Sequence, residues 1–130
     1  MRKSVVISVV AFGLLSVIAS ADEWILASES NEARVFVREN SLRRIEGYRR
    51  IWVLYDYKTP LEAGFRSTVF LYEFDCKNDR VRSLSHNLYG GVRGTGELIG
   101  ADSIPTEWNH VVPGTIIELL TRSVCLSPDH

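Results

Sequence analysis

The chain has few of the residues from which small metal and redox sites are built. It holds two cysteines, Cys76 and Cys125, and three histidines, His86, His110 and His130, with no ligand spacing among them. That spacing excludes the usual zinc patterns. The acidic residues are scattered and form no calcium-loop sequence. Neither charge is in excess, with 15 basic residues against 16 acidic ones, so the strongly basic surface that nucleic acid requires is missing. No internal repeat is visible, which excludes solenoids and propellers. Only one long apolar run occurs, and it lies at the N-terminus.

That run carries the first positive signal. Arg2 and Lys3 precede Ser4 to Ile18, a stretch of about fifteen residues without charge, and Ala19-Ser20-Ala21 follows. A basic start, an apolar middle and a small-x-small end predict a secretory signal peptide over 1–21, cleaved after Ala21. The run is shorter than the roughly 20 apolar residues that span a bilayer, so no membrane insertion is expected after cleavage. The mature chain, 22–130, is expected to be a single domain of 109 residues. Loss of Arg2 and Lys3 leaves 13 basic and 16 acidic residues, a net charge of −3. A chain of this size holds one core with little margin. The expected address is exported: periplasm, medium or cell surface.

Export decides how the cysteines read. In an oxidising compartment an isolated pair is usually a disulfide. A bridge between Cys76 and Cys125 would close a loop of about 50 residues, worth about 4 kcal/mol in the chain-entropy model.

Most of the mature chain has strand character. Trp24–Ala27 is a short apolar run, and Ala33–Val37 alternates. Residues 41–45 would pair with 48–57 if the chain turns at Glu46-Gly47, and Arg50–Lys58, RIWVLYDYK, reads as a strand. In that strand, Ile51, Val53, Tyr55 and Tyr57 share one face and Trp52 and Leu54 the other, which marks a central strand covered on both sides. Ser67–Cys76 alternates most clearly, with Phe70, Tyr72, Phe74 and Cys76 on one face. Lys77-Asn78-Asp79 is turn chemistry, and Arg80–Tyr89 returns as the hairpin partner. Glu97–Ile99 reads as one more short strand. YGGVRGTG, Tyr89 to Gly96, is glycine-rich, but it opens into no helix and so is no phosphate cradle.

Thr115-Ile116-Ile117-Glu118 fits a capping box and predicts a short helix over Thr115–Ser123, with Ile116, Leu119, Leu120 and Ser123 on one face. Such a helix must dock to be stable. Cys125 follows it, and a bridge to Cys76 would staple its end to the sheet. Trp24 and Trp52 are expected in the core and Trp108 under the helix.

No catalytic set emerges. His86 reads as a surface or edge residue, His110 lies in a loop without a nucleophile elbow, and His130 ends the chain. No enzyme activity, cofactor or metal is expected. Binding is the better class. Arg43, Arg44, Tyr48, Arg49 and Arg50 crowd around the Glu46-Gly47 turn as a candidate partner-binding patch, since arginine offers planar recognition of carboxylates and phosphates. The plainer reading is a charged edge that discourages strand pairing. Replacing the four arginines with serine is expected to leave folding intact and to weaken partner binding.

Several of these stretches together resemble the surface-adhesin protein E family of small exported bacterial proteins. They are IWVLYDY (Ile51–Tyr57), LYEFDC (Leu71–Cys76), SLSHNLYGG (Ser83–Gly91) and WNHVVPGT (Trp108–Thr115), running into SVC (Ser123–Cys125). The resemblance implies an α+β fold: an antiparallel sheet of about six strands with a C-terminal helix packed on it. It also implies a non-enzymatic protein that contacts host or envelope macromolecules, a protein or matrix component. Anchored members carry a lipid-modified cysteine after the signal peptide, where this chain has Ala21-Asp22-Glu23. The second reading is a periplasmic inhibitor of an envelope enzyme, of the lysozyme-inhibitor type, projecting a polar loop such as Ser85–Thr95 into a cleft.

Overall fold

The computed structural model describes residues 23–126. The expected signal peptide and the tail that includes His130 lie outside the described residues. Eight strands form one antiparallel sheet: β1 (Ile25–Glu29), β2 (Ala33–Val37), β3 (Arg43–Ile45), β4 (Tyr48–Tyr57), β5 (Ser67–Asp75), β6 (Arg80–Tyr89), β7 (Leu98–Asp102) and β8 (Asn109–His110). The helix α1 spans Ile116–Leu126. The order is β1-β2-β4-β5-β6-β7, with β3 also beside β4 and β8 also beside β6. The eight strands therefore occupy six positions. β2 pairs with the second half of β4 and β3 with its first half, and a 3-10 turn at Glu39–Ser41 lies between them. β7 and β8 divide β6 in the same way. The antiparallel α+β architecture expected from the sequence is the one observed.

Local chemistry places the turns. Glu46 and Gly47 both have positive φ, 51° and 88°, as a two-residue hairpin with the right twist requires. After β5, the Asn78 N–H donates to Asp75 Oδ1 at 3.2 Å, and Asp79 takes a φ of 56°. The first turn sets the register of β3 on β4 and the second that of β5 on β6.

Because side chains alternate, the sheet has two distinct faces. On one, Val35, Ile51, Val53, Phe74 and Val81 meet Leu120 and Val124 of α1. On the other, Phe36, Leu54 and Val69 form a smaller core with Trp24, Trp52 and Tyr89 packed on it. The double-sided β4 expected from RIWVLYDYK is thus found. Trp24 and Trp52 reach only the margin of the second core and stay partly exposed.

The helix differs in detail from the expectation. It continues through Cys125 to Leu126, so the cysteine lies in its last turn rather than beyond it. Its buried side carries Leu120, Thr121 and Val124 with Ile117 half-buried, while Leu119 and Ser123 face outward. Val124 explains the extra length, because it is almost wholly buried and its carbonyl accepts a 2.8 Å bond from Arg49 Nη1. At the start of the helix, Thr115 Oγ1 accepts the Glu118 N–H at 3.3 Å, while Glu118 reaches back to the Gly114 N–H at 3.0 Å, one residue earlier than a standard capping box. The expected disulfide joins Cys76, just past β5, to Cys125 across a sequence separation of 49.

Candidate partner-binding face

The structure distributes the arginine stretch over both faces of the sheet. Arg43 stands opposite Arg50 and Arg44 opposite Arg49, so the two pairs point to opposite sides. Arg49 lies on the helix side and donates to the Val124 carbonyl near the C-terminus of α1, where a cation is favoured. Arg43 Nη1 folds back onto the carbonyls of Asn40 and Leu42, both at 2.9 Å. Arg44 is exposed. Arg50 lies on the face away from the helix, and its Nε donates to Glu73 Oε2 at 2.8 Å.

Glu73 anchors a cluster that sequence reading missed. Its side chain is only 1% exposed, yet it meets two arginines: Arg50 on Oε2 and Arg82 on Oε1, each at 2.8 Å. Cross-strand register puts Arg50, Glu73 and Arg82 side by side on β4, β5 and β6. Next to them Arg80 Nη2 donates to Asp75 Oδ2 at 2.7 Å, and Asn78 Nδ2 donates to the same oxygen at 2.9 Å. These two bonds hold the Asp75 carboxyl below the ordinary aspartate range, with Arg80 contributing most.

Trp108 covers this cluster. Its ring lies over the Arg80 guanidinium at 5.0 Å and the Arg82 guanidinium at 4.5 Å, and Tyr48 packs against it at 5.3 Å. Trp108 therefore lies on the face opposite α1 and not under the helix. β8 explains this, because Asn109 and His110 pair with Val81 and Arg80, which carries Trp108 over the Arg82 side of β6. The result is a half-exposed platform of Tyr48, Trp108 and three guanidiniums above two buried carboxylates, with one net positive charge. The ion pairs that build it join residues between 5 and 23 positions apart, so only the alternation of Tyr48 with Arg50 and of Arg80 with Arg82 signalled it.

The helix side holds a second feature. Tyr55, Tyr57, Phe70, Tyr72 and His86 form an aromatic strip in which Phe70 stacks on Tyr72 at 5.0 Å and His86 lies 5.9 Å from Phe70. Tyr72 Oη donates to Tyr55 Oη at 3.3 Å. Burial pushes both phenols above the usual tyrosine value. A cleft of about 860 Å³ opens beside this strip and the start of α1, bounded by Ser30, Glu32, Tyr55, Tyr57, Thr115 and Leu119.

The two described histidines stand at separate parts of β6 and β8. His86 is paired through β6 to Asp102 of β7 and is not at an edge. His110 is exposed in β8. No group of three or more His, Cys, Asp or Glu side chains among the described residues is placed to hold a metal ion. The loop after β6 does not project. The Arg93 N–H donates to Asp56 Oδ1 at 3.1 Å and the Gly94 N–H to Ser67 Oγ at 2.8 Å, so the loop lies back on the sheet. Ser85–Tyr89 is sheet, paired on both sides. The polar loop expected of an inhibitor is thus folded down, because buried Asp56 and Ser67 need its backbone donors.

A single antiparallel sheet, a disulfide-pinned C-terminal helix and an aromatic–arginine face define a small α+β fold. Among known proteins, the sequence matches the family described as surface-adhesin protein E over residues 24–126, and the chain belongs to that family. The fold is similar to solved structures of Haemophilus influenzae protein E. Crystal form II has a TM-score of 0.62 at 14% identity, covering 78% of this chain and 86% of that one. Protein E from non-typeable Haemophilus influenzae has a TM-score of 0.61 at 12% identity, covering 78% and 74%. At such identity the likeness is one of fold. No curated protein matches the chain. No helix among the described residues is long and apolar enough to cross a membrane.

Proposed function

We propose that this protein is an exported, non-enzymatic binding protein that contacts an acidic region of a host or envelope macromolecule. Membership of a surface-adhesin family supports export and macromolecular binding. The observation that carries the contact surface is the stacking of Trp108 on Arg80 and Arg82 beside Tyr48. Tryptophan, tyrosine and arginine are the residues enriched where binding energy concentrates. The buried carboxylates of Glu73 and Asp75 hold the guanidiniums in place, so the face is organised before a partner arrives. Of the arginine stretch, Tyr48 and Arg50 belong to this platform. Arg43 flanks it on the same face, whereas Arg44 and Arg49 lie on the helix side, with Arg49 at the helix end.

Replacing all four arginines with serine would not leave the fold intact, because Arg49 and Arg50 hold α1 and Glu73. The cleaner test is Y48A/W108A. In biolayer interferometry on a panel of immobilised matrix proteins, the wild-type protein should bind at least one, and the double variant should bind it at least tenfold more weakly. Its thermal midpoint should stay within a few degrees. Unchanged affinity in the folded variant would move the contact elsewhere. Recovery of the native protein from the periplasm alone, on fractionation of its host cells, would overturn surface adhesion.

A further inference from the structure

We infer that the opposite end of this same face is a separate binding site for one acidic sugar ring, held by Arg38 and Arg93. A cleft of about 230 Å³ opens there on the second core, walled by Trp24, Trp52 and Tyr89 and flanked by the two arginines. Arg38 lies over the Trp24 ring at 4.6 Å and Arg93 over the Phe36 ring at 4.7 Å. Neither guanidinium forms an ion pair among the described residues, unlike Arg50, Arg80 and Arg82. The Nε–H of Arg38 is buried and has no acceptor among the described residues. A buried donor left unmade is costly, and two uncompensated cations at one small cleft favour an anion.

The backbone has been bent to put Arg93 there. Its φ is 53°, in the left-handed region that a long side chain rarely adopts. The strain is offset by the bonds from the Arg93 N–H to Asp56 and from the Gly94 N–H to Ser67. Gly94 follows with a φ of 69° and lies in ordinary packing distance of the floor, where a Cβ would be 3.5 Å from Val69 and 3.8 Å from Leu54. Strain held by buried polar anchors is typical of ligand clamps.

The size and walls select the ligand. The cleft holds about one hexose ring. Indole and phenol faces stack against the C–H face of a pyranose, and guanidiniums take its carboxylate in planar, charge-assisted bonds. A sialic-acid-type or uronic-acid-type residue combines both features. The two cation–π contacts would also serve as a simple cover for the second core, but that role does not need an uncompensated charge.

The test is NMR titration of the indole N–H signals of Trp24 and Trp52. The probes are N-acetylneuraminic acid, glucuronic acid, neutral N-acetylglucosamine, and acetate as a carboxylate without a ring. At least one acidic sugar should shift both indoles saturably and at least tenfold more tightly than the neutral sugar or acetate. The responding probe separates the sialic from the uronic source. R93Q should weaken binding at least tenfold at an unchanged thermal midpoint, whereas Y48A/W108A should leave it unaltered, which keeps this site distinct from the Trp108 platform. No saturable shift, an equal response to N-acetylglucosamine or acetate, or full affinity in R93Q would overturn the assignment.

Discussion

Glu73 shows how a single residue organises a surface. A carboxylate this deeply buried is tolerated only if it is paired and hydrogen-bonded, and it has Arg50 on one oxygen and Arg82 on the other. The pair is not an isolated surface bridge, whose worth is about 0–1 kcal/mol. Nor is it fully interior, because the two arginine side chains are 34% and 27% exposed. E73Q should therefore cost roughly 2–3 kcal/mol in urea unfolding, less than the 3–5 kcal/mol of a fully buried broken pair. A loss under about 0.5 kcal/mol would mean that solvent, not Glu73, compensates the guanidiniums. Alternation in Ser67–Cys76 places Glu73 only on the strand face opposite Phe70, Tyr72 and Phe74. The arginines beside it come from two other strands, and the register that brings them together is a tertiary fact.

At the scale of the element, α1 is the part most dependent on its surroundings. Eleven residues make a helix too short to persist alone in water. It is held by Leu120 and Val124 in the core, by the Arg49 bond to its C-terminal carbonyl, and by the Cys76–Cys125 bridge. The C76S/C125S variant should lose about 4 kcal/mol if the bridge acts by constraining the unfolded chain. Hydrogen exchange should show the α1 amides losing protection first while β4, β5 and β6 keep theirs. Equal loss across helix and sheet would mean that the bridge stabilises the whole fold and not the helix dock. The capping residues announced the start of this helix correctly. Its end was misplaced because no stop signal sits there; packing of Val124 against the sheet carries the helix onward.

For the whole molecule, the two faces respond differently to pH. On the helix side, burial keeps Tyr55 and Tyr72 in their neutral forms and raises both pKa values. A raised folded-state value contributes stability that is complete below the unfolded tyrosine value of about 10. That stability is lost as pH climbs toward the folded values. The protein should therefore weaken above pH about 10, and two of its five tyrosines should ionise at 295 nm only together with unfolding. The Y72F variant should show a shallower alkaline decline. Ionisation of all five ahead of unfolding would show that water reaches the aromatic strip. On the opposite face, arginine and aromatic side chains remain partly exposed at both ends, while α1 covers the core of the helix side and leaves the cleft beside Tyr55 and Tyr57 open.

The sequence by itself determined strands β1 to β7 in outline, though it read His110 of β8 as loop, and it determined the hairpin between β5 and β6, the start of the helix and the pair of cysteines. Each rests on local chemistry: alternation, turn residues, a capping threonine and an exported context. It also placed Ile51, Val53 and Tyr55 on one face of β4 and Trp52 and Leu54 on the other, because period-two patterning is legible along a single strand. Only the tertiary structure decided which arginines stand together. Arg43, Arg44, Arg49 and Arg50 are neighbours in sequence yet divide between two faces, while Arg50, Arg80 and Arg82 are distant in sequence yet share one. Strand register across the sheet sets that grouping, and a one-residue slip would send every side chain to the other face. The same register carried Trp108 away from the helix and onto the guanidiniums.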